Sequence, residues 1–474
     1  MKILYAASEA APFVKSGGLG DVAGALPAAL SKIKDVEVCV FIPYYKSIKD
    51  NPDIEVEFVK SFGVNVAWRR EHVGIFKAVS KSKKLKYYFI DNEHYFYRDK
   101  IYGYYDDGER FTYFSLAILE AMRQLDYFPD IIHCNDWQTA LIPVLKRALY
   151  AGIYDNTRTV FTIHNIEYQG KMPNEFLQDV IGVDEYWRGV LTYDKCINFM
   201  KSAIVMADKI TTVSRTYAYE IRYAFFAHGL QNILKENEHK IVGIVNGINT
   251  DLYNPAKDKT IFKNYTAGDI TGKAINKAEM QKQLGLPVNP DVPVIAMISR
   301  LVPHKGLDLV QYVMGELMQR NLQFVVVGTG DSQYEDMFNF NAYVHSDKMS
   351  ANILFDPVLA NKVYAGADIF LMPSKSEPCG LSQLIAMRYG TVPVVRETGG
   401  LFDTVPPLNI ETLEGRGFTF KGYNAHDMLG AIDRSIEFYY NKEKWNKHVK
   451  NLIRYNSSWK APVQEYLNVY NEII

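Results

Sequence analysis

The sequence has almost no net charge and few cysteines. Its 474 residues include 53 Lys+Arg and 54 Asp+Glu, a formal net charge of −1 at pH 7, which argues against bulk binding to nucleic acid or acidic membranes. The four cysteines lie far apart and lack C-x-x-C spacing, so neither a disulfide framework nor a zinc site is expected, and a cytoplasmic protein is favoured. No run of about 18 apolar residues is available to span a bilayer.

The length and the hydrophobic pattern predict two domains. Single cores stop growing beyond about 250–300 residues. Short apolar runs alternate with amphipathic helical patterns such as Gly306–Arg320, which indicates parallel sheets with helices on both faces. A turn-rich segment, Asn246–Pro255, marks a boundary. We therefore predict an α/β protein with doubly wound domains at 1–245 and 246–456, and a C-terminal helix at 457–474 that packs on the first domain.

The segment KSGGLGDVA, Lys15–Ala23, contains a G-x-G-x-x-G/A pattern. Two features argue against NAD: about nine residues separate the first strand from the glycines, and no acid ends the next strand. Gly17 and Gly18 instead allow a ligand to approach the backbone closely. Lys15 adds a positive charge for a phosphate, and a helix expected to begin near Asp21 directs its positive end at the loop.

Charged and small residues cluster in the second half. Arg300 and Lys305, in ISRLVPHKG, follow a predicted strand and precede a helix, where two cations suit a diphosphate. Glu377 precedes a helix whose first amides, at Cys379–Leu381, can face an anion or a sugar hydroxyl, although an acid at this point also simply complements the helix dipole. Thr398–Gly400 forms another small-residue turn after the next strand.

In the first half, HCNDWQTAL and FTIHNIEYQG each place a His and an Asn at a strand end. His164, in the second segment, either acts on a substrate or caps a loop. Because no two aspartates are separated by one residue, a metal–nucleotide site of the D-x-D type is not expected. We predict neither a metal nor another cofactor.

Six segments together resemble the bacterial glycogen synthase and plant starch synthase family, whose members are retaining glucosyltransferases of the GT-B fold. They occur in family order over nearly the whole chain and read KILYAASEAAPFVKSGGLGDVAGALP, HCNDWQTALIP, FTIHNIEYQG, VNGINTDLYNP, ISRLVPHKG and PSKSEPCGLSQLIAMRYGTVPVVRETGGLFDTV. The resemblance implies two Rossmann-like domains facing each other across a deep cleft, the first for the acceptor and the second for the nucleotide sugar. It further implies transfer of glucose from ADP-glucose to the non-reducing end of an α-1,4-glucan with retention of configuration.

The resemblance also implies roles for individual residues. Catalytic roles fall to Lys15, His164, Arg300, Lys305 and Glu377. Donor contacts fall to Lys15, Gly17, Gly18, Asp21, Asn246, Arg300, Lys305, Phe355, Cys379, Gly380, Leu381, Ser382, Thr398, Gly399 and Gly400, and acceptor contacts to Tyr95, Asp136 and Asn165. Phe355 stands where the family usually has a Tyr stacked on adenine, a change that keeps the stacking and loses the hydroxyl.

Other functions stay open at this point. A GT-B transferase could use UDP-glucose or another acceptor, and a glucan-binding protein without turnover would share the same fold. The expected partners are ADP-glucose and glycogen, with no nucleic acid and no membrane. The oligomeric state is not predicted.

Overall fold

The computed structural model describes residues 1–79 and 82–474. The described chain divides into two units. The first comprises Met1–Asn246 together with Trp459–Ile474, and the second comprises Gly247–Ser458.

The first unit contains strands and short helices in alternation. Its strands are β1 (Lys2–Ala6), β2 (Glu37–Pro43), β3 (Val56–Val66), β4 (Arg69–Ala78), β5 (Leu85–Asp91), β6 (Ile131–Asn135), β7 (Arg158–Ile163), β8 (Lys171–Met172), β9 (Thr192–Tyr193), β10 (Cys196–Asn198), β11 (Lys209–Thr212) and β12 (Ile241–Gly243). Its helices are α1 (Gly18–Leu30), α2 (Lys46–Lys49), α3 (Glu93–Phe96), α4 (Asp107–Gln124), α5 (Ile142–Leu149), α6 (Arg188–Leu191), α7 (Phe199–Met206), α8 (Arg215–Glu220) and α9 (Gln231–Glu236), followed at the chain end by the C-terminal helix Lys460–Ile473.

The main sheet of the first unit has the order β12-β11-β7-β6-β1-β2-β5-β4-β3. From β12 to β5 the neighbouring strands are parallel. The apolar side chains of β1, β6 and β7 are buried, as expected for parallel strands covered on both faces. The antiparallel edge formed by β3 and β4 was not predicted, because charged residues interrupt both strands and obscure the two-residue alternation.

The second unit contains one parallel sheet with the strands β13 (Val294–Ile298), β14 (Gln323–Val327), β15 (Met349–Asn352), β16 (Ile369–Met372), β17 (Val392–Arg396) and β18 (Phe418–Phe420). Their order is β15-β14-β13-β16-β17-β18. The helices are α10 (Thr271–Gln283), α11 (Leu307–Tyr312), α12 (Met314–Met318), α13 (Ser332–Val344), α14 (Pro357–Gly366), α15 (Ser382–Arg388), α16 (Gly399–Thr404), α17 (Ala425–Tyr440) and α18 (Lys442–Arg454). One continuous hydrophobic core joins this sheet to its helices.

Two helix predictions need correction. The single helix expected over Gly306–Arg320 is broken at Val313 into α11 and α12, at a point where Val313 and Gly315 both have low helix propensity. The helix expected to open near Asp21 begins earlier, at Gly18.

The C-terminal helix packs on the first unit through a buried tyrosine face. Tyr466 and Tyr470 are fully buried, and the Tyr470 hydroxyl lies 2.7 Å from Nδ1 of His133 in β6. Ion pairs from Lys209 to Glu472 at 2.6 Å and from Arg215 to Glu465 at 3.2 Å flank this face. Among the helices of the described residues, none combines the length and the hydropathy needed to cross a membrane.

Candidate active site

The polar residues of the first unit gather where its strand order reverses. The strands β1, β6 and β7 are neighbours, and the chain leaves β1 toward β2 on one side and later returns to β6 on the other. Ligands of open α/β sheets bind at such a point, beyond the carboxyl ends of the strands. The predicted residues of the glycine loop, Asp136, His164 and Asn165 all follow these three strands.

The glycine loop brings Lys15 and Asp21 together. Their ion pair has a Nζ–Oδ1 distance of 2.9 Å. Gly20 makes the contact possible, because a Cβ at this position would lie 2.5 Å from the Cβ of Lys15. Helix α1 begins at Gly18, directly after the extended Gly17, and the Ala11 amide donates to the Gly20 carbonyl at 2.9 Å.

Glu9 holds this loop and was missed in the sequence. Its buried carboxylate accepts the Ser16 backbone N–H, and its other oxygen accepts the Ser16 hydroxyl at 3.2 Å. Burial raises the pKa of Glu9 to about 7, and the Ser16 N–H offsets part of that rise. The available signal was an acid inside the otherwise apolar segment that directly follows β1.

Asp136 joins the ends of β6 and β7. Its Oδ1 accepts the backbone N–H of His164 at 2.7 Å and that of Asn165 at 3.3 Å. Burial raises the pKa of Asp136 to about 7 despite these two hydrogen bonds. Asp136 also adopts φ 54°, an uncommon conformation outside glycine that functional sites often contain.

The side chain of His164 reaches back to β6. Its Nε2 lies 2.9 Å from Oδ1 of Asn135, a buried residue that the sequence places at a strand end but to which it assigned no role. Burial lowers the pKa of His164 to about 3. The imidazole is therefore neutral at neutral pH.

Two other predicted residues of the first unit lie apart from this group. Tyr95 is buried, and its hydroxyl donates to Glu109 at 2.7 Å. Asn246 is also buried, and its Oδ1 has no hydrogen-bond partner among the described residues. A buried acceptor in that state is available to a ligand hydroxyl.

The second unit contains a buried ion pair between Lys305 and Glu377. The Nζ–Oε2 distance is 2.7 Å, and the two side chains are 16% and 8% exposed. Ser374 donates to the same carboxylate oxygen at 2.9 Å. Burial on its own would raise the pKa of Glu377, but the charge and hydrogen bond of Lys305, with Ser374, outweigh it and hold the pKa below its usual value.

The pair lies at the carboxyl ends of neighbouring strands, since Lys305 follows β13 and Glu377 follows β16. The turn after β17 packs against the same segment: the Gly400 amide donates to the Glu377 carbonyl at 3.0 Å. Gly399 has φ 45°, and a Cβ there would lie 2.1 Å from that carbonyl oxygen. The structure thus brings Lys305, Glu377 and Thr398–Gly400 together.

The remaining predicted donor residues of the second unit lie on other loops and turns at the ends of its strands. Leu381 precedes α15, which begins at Ser382, and Cys379 and Gly380 form the turn before it. Arg300 is exposed on the loop after β13 and forms no ion pair with a described residue. The ring of Phe355 is 71% exposed between β15 and α14. No described group of three or more His, Cys, Asp or Glu side chains could hold a metal ion.

Two family models match the chain. The starch synthase catalytic domain matches residues 2–236, and glycosyl transferases group 1 matches residues 276–453. A glycogen synthase of Clostridium botulinum (strain Alaska E43 / Type E3) is 48% identical over 100% of this chain and 99% of its own length. A glycogen synthase of Clostridioides difficile (strain 630) is 46% identical over 100% of both chains.

Solved structures agree with these matches. The catalytic domain of starch synthase IV from Arabidopsis thaliana, bound to ADP and acarbose, superposes with a TM-score of 0.92 at 33% identity, covering 99% of this chain and 98% of that one. Sucrose-phosphate synthase from Thermosynechococcus elongatus shares the fold, with a TM-score of 0.63 at 18% identity. The predicted α/β fold class and the predicted family are confirmed. The chain belongs to the glycogen synthase and starch synthase family of GT-B glycosyltransferases.

Proposed function

We propose that the residues described above carry out the glycogen synthase reaction of this family. Glucose passes from ADP-glucose to the 4-hydroxyl at the non-reducing end of an α-1,4-glucan, and its α configuration is retained. The observation that carries the proposal is the buried Lys305–Glu377 pair at 2.7 Å, with the exposed Arg300 on the same loop. Lys305, which Glu377 holds in place, and Arg300, which has no ion pair with a described residue, together suit a departing diphosphate.

In the second unit, which we assign to the nucleotide sugar, Arg300 and Lys305 neutralise the diphosphate. Glu377 orients the glucose hydroxyls, because its pKa is held low and it stays an acceptor at neutral pH. Phe355 stacks on the adenine, since its exposed ring offers a flat apolar face. The turns at Cys379–Ser382 and Thr398–Gly400 supply backbone N–H groups to the donor.

In the first unit, which we assign to the acceptor, His164 and Asn165 contact sugar hydroxyls while Asp136 fixes the backbone of both. Tyr95 is assigned to the acceptor channel, and Asn246 is assigned to the donor, to which it offers an Oδ1 that has no hydrogen-bond partner among the described residues. Lys15 contributes charge to the donor, and the Gly17–Gly18 backbone and Asp21 complete that contact. The domain boundaries and a cytoplasmic location stay predictions.

Acceptor deprotonation is assigned to an oxygen of the departing phosphate, with no carboxylate as base or nucleophile. The carboxylates to examine are Glu9, Asp136 and Glu377. In the variants Glu9→Gln, Asp136→Asn and Glu377→Gln, turnover falls but persists while ADP-glucose still binds. A variant that binds the donor and shows no turnover identifies that carboxylate as the base and refutes this assignment.

The function is tested by release of the nucleoside diphosphate from the purified protein, ADP from ADP-glucose or UDP from UDP-glucose, with and without glycogen. We expect glycogen-dependent release that is much faster with ADP-glucose. Lys305→Ala lowers it by about 100-fold or more, since it removes a preorganised charge. Lys444→Ala, which breaks an exposed ion pair with Glu411 in the same unit, serves as the matched control.

The alternatives give different results. Equal or faster release from UDP-glucose identifies a different donor. Binding to glycogen without nucleotide release identifies a glucan-binding protein without turnover. Either result refutes the proposed donor or the proposed reaction.

A further inference from the structure

The orientation of the Asn135 side chain is fixed by two backbone carbonyls. Asn135 ends β6 and is fully buried. Its Nδ2 donates to the carbonyl oxygen of Ala6 at 3.0 Å and to that of His133 at 3.3 Å. The reversed amide would place an oxygen against two acceptors, and an amide is oriented by its hydrogen-bond network. Oδ1 therefore faces away from both carbonyls.

That oxygen is the only atom of Asn135 that faces His164. It accepts the Tyr5 hydroxyl at 2.9 Å and lies 2.9 Å from Nε2 of His164. A carbonyl oxygen cannot donate a hydrogen bond. Nε2 must therefore carry the proton of this contact.

A neutral imidazole carries one proton. Because burial lowers the pKa of His164 to about 3, the ring is neutral at neutral pH and the single proton is on Nε2. Nδ1 then keeps its lone pair and is an acceptor. The backbone of the residue is held at the same time by Asp136, which accepts its N–H at 2.7 Å.

We infer that Asn135 is a positioning residue that fixes His164 in the Nε2–H tautomer, so that Nδ1 accepts a hydrogen bond from a substrate hydroxyl. The inference rests on the proposed function only in naming a sugar hydroxyl as the partner. It follows that His164 does not protonate the departing phosphate through Nδ1, because this nitrogen has no proton to give.

His133 provides an internal contrast. Its Nδ1 lies 2.7 Å from the Tyr470 hydroxyl and its Nε2 lies 2.5 Å from the Thr162 hydroxyl. A hydroxyl can donate or accept, so these partners leave both tautomers of His133 open. The fixed tautomer of His164 is therefore a consequence of the amide at position 135 and not of burial in general, since burial lowers the pKa of both residues to about 3.

The tautomer is measured by two-bond ¹H–¹⁵N correlation spectra of the full chain labelled with ¹⁵N-histidine, in the absence of any substrate. The signals of His164 are assigned by their loss in His164→Gln. We expect a protonated Nε2 and an unprotonated Nδ1 at pH 7. A protonated Nδ1 in the wild-type protein overturns the inference, whether or not the protein proves to be a glucosyltransferase.

Two variants test the part played by Asn135. Asn135→Ala removes the acceptor and is expected to give a mixture of tautomers. It should lower kcat by about 10- to 100-fold, as misplacement of a substrate-positioning group does, with a smaller change in the KM for glycogen. Tyr5→Phe removes the other hydrogen bond to the same oxygen but leaves the acceptor for His164 in place. We therefore expect His164 to keep the Nε2–H tautomer and kcat to stay within about 3-fold of wild type, which corresponds to less than about 1 kcal/mol in activation free energy.

The result that contradicts this role is a single Nε2–H tautomer in Asn135→Ala, because burial alone would then select it. If Asn135→Ala does not fold, the spectra of the wild-type protein and of Tyr5→Phe still test whether His164 is held in the Nε2–H tautomer. Loss of the Nε2–H tautomer in Tyr5→Phe would show that the tyrosine, and not the amide, fixes the ring.

Discussion

The buried pair between Lys305 and Glu377 gives the sharpest prediction. At a distance of 2.7 Å, two unit charges attract by about 6 kcal/mol at an effective dielectric constant near 20. Desolvation of both groups offsets much of this attraction, but removal of one partner leaves the other buried and unpaired. Breaking such a pair typically costs about 3–5 kcal/mol. Because the amide in Glu377→Gln can still accept one hydrogen bond from Lys305, we expect the lower end, about 3 kcal/mol.

Urea unfolding at pH 7 measures this loss, and Glu411→Gln is the matched control. Glu411 pairs with Lys444 at 2.6 Å in the same unit, but these side chains are 75% and 35% exposed. Exposed pairs contribute about 0–1 kcal/mol, so the same chemical change should barely shift the free energy of unfolding. Turnover should fall by about 100- to 1000-fold in Glu377→Gln and stay unchanged in Glu411→Gln.

The pH dependence gives an independent check on the charge of Glu377. Its folded pKa lies below the ordinary value of 4.5, so the ionised carboxylate stabilises the fold above about pH 4.5 and this contribution is lost as the pH falls through the folded pKa. The difference in unfolding free energy between wild type and Glu377→Gln should therefore shrink in acid. A difference that is already below 1 kcal/mol at pH 7, or that does not change with pH, would refute the ion-pair argument.

Three further predictions concern the donor residues and the glycine loop. Phe355→Ala should raise the KM for ADP-glucose by about 10-fold, because stacking on a base contributes about 1–3 kcal/mol, while Phe355→Tyr keeps it near wild type in the same rate assay. Gly20→Ala should lower kcat/KM by at least about 10-fold, since the new Cβ would lie 2.5 Å from that of Lys15; unchanged kinetics would show that the loop is not held as described. Folding raises the pKa of Glu9 from 4.5 to about 7, so the wild-type protein loses stability relative to Glu9→Gln as the pH rises between these values. The free energy of unfolding of Glu9→Gln should therefore gain up to about 3 kcal/mol on that of wild type between pH 4.5 and pH 7. A constant difference between the two urea unfolding free energies over this range would contradict the prediction.

The sequence was sufficient for the features that depend on local pattern. Short apolar runs indicated parallel strands, and the motifs that follow such runs supplied the candidate residues at the strand ends. Parallel topology then requires that all these ends lie at one edge of their sheet. Arg300 and Lys305 were predicted as a phosphate site from this placement, whereas the assignment of Glu377 to the same site came from the family resemblance.

The features that depend on strand order were not predictable. Asn135 and Tyr5 are 130 residues apart and meet only because β6 pairs with β1. The partners that orient the Asn135 amide are backbone carbonyls, which carry no sequence signal. Glu9 was visible in the sequence as an acid directly after β1, but its partner, the backbone N–H of Ser16, carries no sequence signal.

The two units also differ in how they control charge, and the difference matches the two halves of the proposed reaction. In the second unit, Lys305 keeps Glu377 ionised, and the cations of this unit, Lys305 and Arg300, suit a diphosphate. In the first unit, burial keeps His164 neutral and raises the pKa of Glu9 and Asp136 to about 7. The neutral imidazole of His164 suits a sugar hydroxyl, because it brings no buried charge that would need compensation. In the first unit, the cation that we propose for a donor phosphate is Lys15, which pairs with Asp21 at 2.9 Å.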